Sequence, residues 1–222
     1  MPSRMTREQS KAATRERLLG AARRVFARRG FHGASVDEIA AEAGFSTGAL
    51  YSNFGGKEDL FLELMEHEVS SKIADIAAAV DQTASMAERA RGGAEQWMSF
   101  VEREPEMLLL FMEFWAYAVR DPAVRPEMAA RFADIRHMLT RLIANGLDDF
   151  GLEPAIPAEQ LAMAVDALAD GIARQKLADP QAVPDGLLGS ALSLLLAGAV
   201  RSAAGPELGT VEAMGGLSSP PQ

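Results

Sequence analysis

Apolar residues recur every three or four positions along most of this chain, which is the spacing of one face of an α-helix. Thr14 precedes the first such segment and Gly30 follows it, and both residue types are common at helix ends. We therefore predict a first helix over residues 14–29. The apolar positions of this segment are Leu18, Ala22, Val25 and Phe26.

Two short helices joined by a tight turn are predicted next. Ser35 and Glu38 have the spacing of a capping box, and Gly44 ends the helix that they begin. Ser46 can cap a third helix, which ends at the glycine pair 55–56. Two such helices form a helix-turn-helix, whose second helix enters the major groove of DNA.

The third helix divides into a buried face and an exposed face. Leu50 and Phe54 share the buried side. Glycine inside a helix costs about 1 kcal/mol of stability relative to alanine. Close approach of the backbone to DNA would explain why glycine nevertheless occurs at position 48. The residues predicted to face away from the core are Thr47, Gly48, Tyr51 and Ser52.

The rest of the chain also predicts helices, bounded by capping residues, prolines and glycines. They are expected over residues 57–80, 85–103, 105–120, 122–150, 157–177 and 184–200. No strand pattern or internal repeat stands out, and residues 202–222 have the small, polar composition of a disordered tail. We expect an all-α fold with three N-terminal helices in residues 1–56 and a helical body in residues 57–201.

Charge is distributed unevenly along the chain. Residues 1–34 contain nine Lys and Arg against two Asp and Glu, whereas residues 61–222 contain twelve against twenty-four. A basic end on an acidic body suggests that the first segment binds a polyanion, although a solvated basic tail would have the same composition. The chain lacks cysteine and a signal-peptide pattern, and its longest apolar stretches, 107–119 and 191–200, are too short to span a bilayer. We expect a soluble, cytoplasmic protein.

The segment FHGASVDEIAAEAGFSTGALYSNFGGKEDLF resembles the N-terminal DNA-binding domain of the TetR family of transcriptional regulators. The residues that carry the resemblance are Gly44, Phe45 and Ser46 in the turn, Leu50 and Tyr51 in the third helix, and Phe54, Lys57 and Leu60 after it. The resemblance covers residues 14–62 closely, and beyond them it extends only to a helical body of suitable length.

The resemblance implies a set of DNA-binding residues. Tyr51 and Lys57 match positions that contact backbone phosphates, and Thr47, Gly48 and Ser52 match positions that vary with the operator. Asn53 stands where many members have histidine, and its amide can still donate to a phosphate. The N-terminal cations either follow the phosphates or the minor groove, or lie in a disordered arm. The remaining predicted contacts are Arg4, Arg7, Lys11, Arg15, Ser35 and Ser46.

Large apolar side chains cluster on and beside the helix that Pro105 begins, which indicates either a filled core or a ligand cavity. The TetR-like head favours the cavity. Glu113 is the only charged residue between Met107 and Val119, so it either pairs with Arg136 or Arg141 or selects a cationic or hydrogen-bond-donating ligand. The predicted ligand-binding residues are Trp97, Phe100, Met107, Phe111, Glu113, Phe114, Trp115 and Met138.

The resemblance also implies a homodimer formed by the last two helices as an intersubunit four-helix bundle. Their predicted dimerisation residues are Leu161, Val165, Leu168, Ile172, Leu188, Leu192 and Leu195. We expect a repressor that a small, largely apolar ligand releases from a near-palindromic double-stranded DNA operator, with the long fourth helix as lever. No cofactor or metal is expected.

Two other classes of protein remain open. An architectural DNA-binding protein would have the same head and no ligand. An all-helical enzyme is the weaker alternative, because His32, His67 and His137 fall on separate segments and no Glu-x-x-His, P-loop or H-E-x-x-H motif occurs.

Overall fold

The computed structural model describes residues 6–79 and 83–201, and the predictions for Arg4, for Val80 and for the 202–222 tail lie outside these residues. The described chain is helical apart from one two-stranded ladder, which confirms the all-α fold class. The nine helices described are α1 (Arg7–Gly33), α2 (Val36–Ala43), α3 (Thr47–Tyr51), α4 (Lys57–Ala78), α5 (Met86–Arg103), α6 (Pro105–Ala118), α7 (Arg125–Asp148), α8 (Ala158–Ala178) and α9 (Leu187–Gly198).

Helix α1 begins earlier than its apolar positions indicate. Thr6 is the N-cap: its side chain accepts a hydrogen bond from Gln9 N at 3.2 Å, and Gln9 Oε1 accepts one from Thr6 N at 2.8 Å. The predicted start at Thr14 was wrong, because this capping box stabilises two further turns that bury nothing in the core. Gly30, with φ of 70°, interrupts the helical backbone as predicted.

Both helices of the helix-turn-helix begin where predicted, but α3 ends at Tyr51, before the glycine pair 55–56 that was predicted to end it. Ser35 Oγ accepts from Glu38 N at 3.1 Å, and Ser46 Oγ accepts from Ala49 N at 3.2 Å. Gly44 lies in the left-handed region with φ of 74°, where a residue with a side chain would be strained. The first three helices and α4 form one hydrophobic core with α6, so the head and body pack directly on each other.

The body consists of α5 to α9 together with most of α4. Helix α9 starts at Leu187, three residues after the predicted start at Pro184, and ends at Gly198 because the chain then changes to a strand. The missed ladder pairs β1 (Glu153–Pro154) antiparallel with β2 (Val200–Arg201). Both strands are two residues long and therefore too short for an alternating pattern to show.

Helices α5 and α9 pack together closely at Gly189. A Cβ atom at position 189 would lie 3.2 Å from Arg91 Cα and 2.9 Å from Arg91 Cγ. Such distances leave no room for a side chain, so glycine sets the separation of these two helices.

Candidate DNA-binding surface and ligand cavity

The turn between α2 and α3 is held closed by hydrogen bonds and by α1. Phe45 N donates to Ala40 O at 2.9 Å, and Gly44 N donates to Ala41 O at 3.0 Å. From α1, Arg17 donates to Ala43 O at 2.8 Å, and its guanidinium stacks 4.6 Å from the centre of the Phe45 ring. Sequence reasoning missed Arg17, since nothing along the chain shows which arginine of α1 faces the turn.

Helix α3 presents the predicted exposed face. Tyr51 is 57% exposed, while Leu50 and Phe54 are buried. Gly48 is exposed, and among the described residues a Cβ atom there would meet only Ser46 Oγ, at an ordinary contact distance of 3.8 Å. Its backbone is not in the left-handed region. The described contacts therefore give no reason for glycine at position 48, and close approach of its backbone to DNA stays a prediction.

The hydroxyl groups around α3 are already oriented. Thr47 Oγ1 donates to Asp37 Oδ1 at 2.6 Å, which connects α3 to α2, and Ser52 Oγ donates to Ala49 O at 2.8 Å. Both side chains keep acceptor capacity for a partner's donors. Ser35 and Ser46 act as helix caps and are exposed. DNA contacts by these four residues stay predictions.

The cations of α1 are mostly engaged within the protein. Arg24 and Arg28 both pair with Glu42, and Arg29 pairs with Glu38, so α2 neutralises part of the basic excess in residues 1–34. Within the described part of the chain, Arg7 and Lys11 lie exposed on the first turns of α1 with no ion pair. Phosphate contacts by Arg7 and Lys11 stay predictions.

Two predicted DNA contacts, Arg15 and Asn53, are turned inward. Arg15 donates to Asn53 O and Glu63 and stacks 4.4 Å from the centre of the Phe54 ring, which joins α1 to the end of α3. The Asn53 amide donates to Ala49 O at 2.8 Å. The donors of Arg15 and Asn53 thus bind partners within the head and α4, and DNA contact by either residue stays a prediction.

Lys57 was predicted to clamp a phosphate, and the structure places its ammonium group inside the head. The Nζ atom donates to Phe31 O at 3.0 Å and Ala34 O at 3.2 Å, and it lies 4.6 Å from the centre of the Phe31 ring. These bonds fasten α4 to the end of α1. Only one of the three ammonium hydrogens remains for a phosphate, so phosphate contact by Lys57 stays a prediction limited to a single hydrogen bond.

Two adjoining cavities lie in the body. The larger, of about 370 Å³, is bounded by α4, α5, α7, α8 and α9, is partly open to solvent and is lined mainly by aliphatic side chains. The smaller, of about 80 Å³, lies between α4, α5, α6, α7 and α8. Both cavities are lined by Val69, Trp97, Ile135 and Asp166.

Some of the predicted ligand-binding residues line these cavities and others do not. Trp97 lines both cavities, and the smaller cavity is also lined by Phe100, Met107, Phe111 and Phe114. Trp115 lines neither and is 48% exposed, because it lies on the outer side of α6. Met138 also lines neither cavity. The pattern of large apolar residues found the right helices but not the face of each residue.

Glu113 has neither of the predicted roles. Its Oε2 accepts from Phe31 N at 3.2 Å and its Oε1 accepts from His32 N at 3.0 Å. The carboxylate on α6 thus binds the backbone just after the Gly30 interruption in α1, beside a cluster of Phe31, Phe61, Phe114 and Tyr117 rings. We name this contact the Glu113 latch. It connects body to head and involves neither Arg136 nor Arg141.

Two acidic residues that the sequence did not single out lie on α8. Asp166 lines both cavities and Asp170 lines the smaller one. Loss of surrounding water and the neighbouring Asp166 carboxylate raise the pKa of Asp170 to about 6, against the attraction of Arg174. Partial loss of surrounding water also raises the pKa of Asp166, against the attraction of Arg136, although the residue as a whole is exposed to solvent.

Most of the predicted dimerisation residues pack inside the protomer. Leu161, Ile172, Leu188 and Leu192 are all at most 8% exposed. The stripe chosen from sequence is the inner face of α8 and α9, which faces the body's own helices. The outer faces carry other apolar residues, and the exposed ones are Met163, Leu187 and Leu194.

Two further properties limit the chemistry of the described residues. No group of three or more His, Cys, Asp or Glu side chains within them is placed to hold a metal ion. None of their helices combines the length and the apolar character that crossing a membrane requires.

Comparison with known proteins assigns a family to both parts of the chain. Residues 18–64 match the bacterial regulatory proteins of the tetR family, and residues 86–201 match the C-terminal family of BetI-type transcriptional repressors. Over 161 residues the chain is 30% identical to the HTH-type transcriptional activator FasR of Mycolicibacterium smegmatis, covering 72% of this chain and 70% of that protein. It is also 30% identical to the HTH-type transcriptional repressor AcnR of Corynebacterium glutamicum, covering 71% and 79%.

Solved structures share the fold. The regulator FadR of Bacillus subtilis in complex with stearoyl-CoA matches with a TM-score of 0.62 at 19% identity, over 82% of this chain and 98% of that one. A TetR transcription regulator of Haloarcula marismortui matches with a TM-score of 0.62 at 18% identity, over 86% and 100%. The helix-turn-helix, the all-helical body and the matches in both parts lead to one conclusion: the chain belongs to the TetR family of transcriptional regulators.

Proposed function

We propose that this protein is a homodimeric repressor that binds a near-palindromic DNA operator and is released by a small, largely apolar ligand. The observation that supports it best is the combination in one chain of an exposed α3, with a glycine that its own fold does not require, and an apolar cavity of about 370 Å³ in the body. The head occupies residues 1–56 and the ligand-binding and dimerisation body residues 57–201.

In the DNA-bound state α3 lies in the major groove. Gly48 lets the backbone approach the DNA, Thr47 and Ser52 face the base edges, and the exposed Tyr51 hydroxyl donates to a phosphate. Arg7 and Lys11 extend the contact to neighbouring phosphates.

The dimer forms through the outer faces of α8 and α9. Leu194 is 76% exposed, which is costly for a leucine on a helix that is otherwise apolar, and Met163 and Leu187 lie exposed on the same pair of helices. A twofold axis through this surface places the two heads on the same side, where two α3 helices about one turn of DNA apart read a near-palindromic site.

Ligand binding is coupled to the heads by two elements. Helix α4 begins directly after the helix-turn-helix and lines both cavities with Val69. Helix α6 lines the smaller cavity with Phe111 and Phe114 and holds α1 through the Glu113 latch. A ligand that fits only one arrangement of α4 and α6 shifts the spacing of the two heads.

The test has two steps. The full chain is first mixed with random double-stranded DNA, and bound fragments are selected and sequenced; we expect an inverted repeat. Tyr51→Phe should weaken binding to all fragments, whereas Thr47→Ala should change the preferred sequence. Recovery of fragments without a common sequence would contradict operator binding.

Apolar molecules are then screened for release of the selected fragment. Release by a molecule that binds the body supports the repressor. If nothing that occupies the cavity changes DNA affinity, the architectural alternative is the better description, because its body has no regulatory ligand.

A further inference from the structure

The hydroxyl group of Thr47, the first residue of α3, is bound by the protein's own fold. Its Oγ1 atom lies 2.6 Å from Oδ1 of Asp37, which stands in the first turn of α2. An ionised carboxylate has no hydrogen to donate, so the hydrogen of this bond belongs to Thr47. The distance is typical of a hydroxyl group that donates to a charged carboxylate, and such bonds are roughly twice as strong as bonds between neutral groups.

This bond decides what Thr47 can offer to a partner. A hydroxyl group has one hydrogen and two lone pairs, and here the hydrogen points to Asp37. Thr47 is partly exposed and Asp37 is exposed, so the lone pairs can be reached from solvent. The arginines of α1 that pair with α2 bind Glu38 and Glu42, so they do not draw the Asp37 carboxylate away from Thr47. The Thr47 hydroxyl group therefore accepts hydrogen bonds and does not donate them.

The hydroxyl group of Ser52 is restricted in the same way. Its Oγ atom donates to Ala49 O at 2.8 Å and accepts from Asn53 Nδ2 at 3.3 Å. A carbonyl oxygen has no hydrogen, so one lone pair of Ser52 remains for a partner. Both hydroxyl groups thus present acceptors, but only that of Thr47 is oriented by a side chain that can be substituted.

The edges of the bases in the major groove carry few donors. The amino groups N6 of adenine and N4 of cytosine donate, whereas N7 of the purines, O6 of guanine and O4 of thymine accept. A hydroxyl group that only accepts can bond to the two amino groups and to none of the other atoms. A freely rotating hydroxyl group could bond to either kind.

We infer that Asp37 is a positioning residue for sequence recognition: it holds the Thr47 hydrogen, so that Thr47 reads the amino group of an adenine or a cytosine. This inference rests on the proposed function, in which α3 lies in the major groove and Thr47 faces the base edges. Asp37 acts through Thr47 and does not contact the base itself.

The first test identifies the atom that Thr47 contacts. Thr47→Val keeps the shape of the side chain without its hydroxyl group, so the base pair whose preference changes in the selected operator is the contacted pair. The amino group of that pair is then removed, with purine in place of adenine or pyrimidin-2-one in place of cytosine. The parent should bind this fragment about fivefold or more weakly. Thr47→Val should show no such loss, which excludes an effect of the weaker base pairing.

A 7-deaza purine in the same pair is the matched control, because it removes an acceptor and keeps the amino group. It should leave the affinity of the parent unchanged. Weaker binding of the 7-deaza fragment by the parent but not by Thr47→Val would overturn the inference, because Thr47 would then donate. Equal binding of the fragment without the amino group would overturn it too, as would a Thr47→Val variant that keeps every preference of the parent.

The second test concerns Asp37. Asp37→Ala frees the Thr47 hydroxyl group to rotate, so the preference at the contacted pair should fall by about fivefold while the other positions keep theirs. Asp37→Asn removes the same charge but keeps an oxygen that accepts the Thr47 hydrogen, and it should retain the preference. Thermal unfolding shows that both variants are folded. An Asp37→Ala variant with the parent's preference would overturn the inference, and so would equal loss of affinity for every sequence, since Asp37 would then contact DNA itself.

Selection by the parent distinguishes this inference from the proposed function. If the parent selects an inverted repeat and the base analogues contradict contact with an amino group, operator binding stands and the role of Asp37 fails. If the parent recovers no common sequence, operator binding itself fails, and the inference fails with it.

Discussion

The Glu113 carboxylate lies where a side chain at position 30 would have to lie, so each residue limits what can stand at the other position. A Cβ atom at position 30 would lie 2.7 Å from Glu113 Oε2, and the glycine has φ of 70°. The same carboxylate accepts from the Phe31 and His32 amides. The latch therefore requires both a residue without a side chain on α1 and an acid on α6.

This mutual restriction predicts non-additive stabilities. Gly30→Ala should destabilise by about 2 kcal/mol or more, through left-handed strain and collision with the carboxylate. Glu113→Ala should cost about 1–3 kcal/mol, because it leaves two amides without their acceptor. In the Glu113→Ala background, Gly30→Ala should lower the free energy of unfolding only by the cost of the left-handed backbone strain. Urea unfolding of the parent, the two single variants and the double variant measures these differences.

Gly151→Ala provides the control for strain alone. Gly151 has φ of 61°, and among the described residues nothing lies within 4 Å of a Cβ atom built there. Its cost should equal that of Gly30→Ala in the Glu113→Ala background. Additive costs at positions 30 and 113 would show that the two residues do not meet.

Asp170 predicts a pH dependence of stability. Its pKa is raised to about 6, so the folded state holds the proton more tightly than the unfolded state. The stabilisation from the protonated acid is complete at low pH and is lost as the pH rises from about 4 to about 6. The side chain of Asp170→Asn stays neutral at every pH. The free energy of unfolding of this variant should therefore exceed that of the parent increasingly across this range, by on the order of 1 kcal/mol at pH 8.

Denaturant unfolding at pH 5 and pH 8 measures this advantage, with Asp134→Asn as the control at an exposed position. An advantage of Asp170→Asn that is larger at pH 5 than at pH 8 would contradict the raised pKa.

Residue roles were harder to predict from sequence than residue types. Tyr51 is exposed as predicted. Its exposure could be predicted because the buried residues Leu50 and Phe54, which define the opposite face, lie close to it in the sequence. Arg15 was assigned to DNA as one of the N-terminal cations and Lys57 from the family resemblance, yet their donors bind carbonyl groups 38 and 26 residues away, respectively. Contacts between residues so distant in the chain leave no local signal.

At the scale of one helix, substitution of Gly48 in α3 tests DNA binding separately from stability. Gly48→Ala should stabilise the fold by up to about 1 kcal/mol, because the position is helical, exposed and free of close neighbours. The same methyl group should weaken operator binding by about tenfold or more if the backbone approaches DNA closely. Thermal unfolding and a fragment titration measure the two effects.

Gly92→Ala is the matched change in a helix away from the head. Gly92 is exposed in α5, and no described atom lies within 4 Å of its Cβ position. It should stabilise the fold similarly and leave DNA affinity unchanged. Normal DNA affinity of Gly48→Ala would show that close approach of the backbone to DNA does not explain the glycine.

Element boundaries followed the local capping chemistry. Ser35, Ser46 and Ser85 cap the predicted helices, since a cap depends on residues within one turn. The faces of α8 and α9 were assigned wrongly, because these helices carry apolar residues on both sides and only packing against α5 and α7 distinguishes them. Leu161 is fully buried and Met163, two residues later, is half exposed.

For the whole molecule, the outer faces of α8 and α9 predict the subunit interface. Leu194→Glu should give monomers with much lower operator affinity, because a charge at the centre of an apolar interface is costly to bury. Leu109→Glu, at a position 55% exposed on α6, is the control and should remain dimeric. Light scattering measures the mass; a dimeric Leu194→Glu together with a monomeric Leu109→Glu would place the interface on α6.

The close packing of α5 and α9 at Gly189 also determines how this protein can be redesigned as a biosensor. On the wall that carries Leu188 and Leu192, the α9 backbone already lies against Arg91 at Gly189, so it has no room to shift toward α5 when a larger side chain is introduced. The α7 wall, with Ile135, Leu139 and Leu142, has no such restriction among the described contacts. Libraries aimed at new analytes should therefore vary α7 and keep α9 constant.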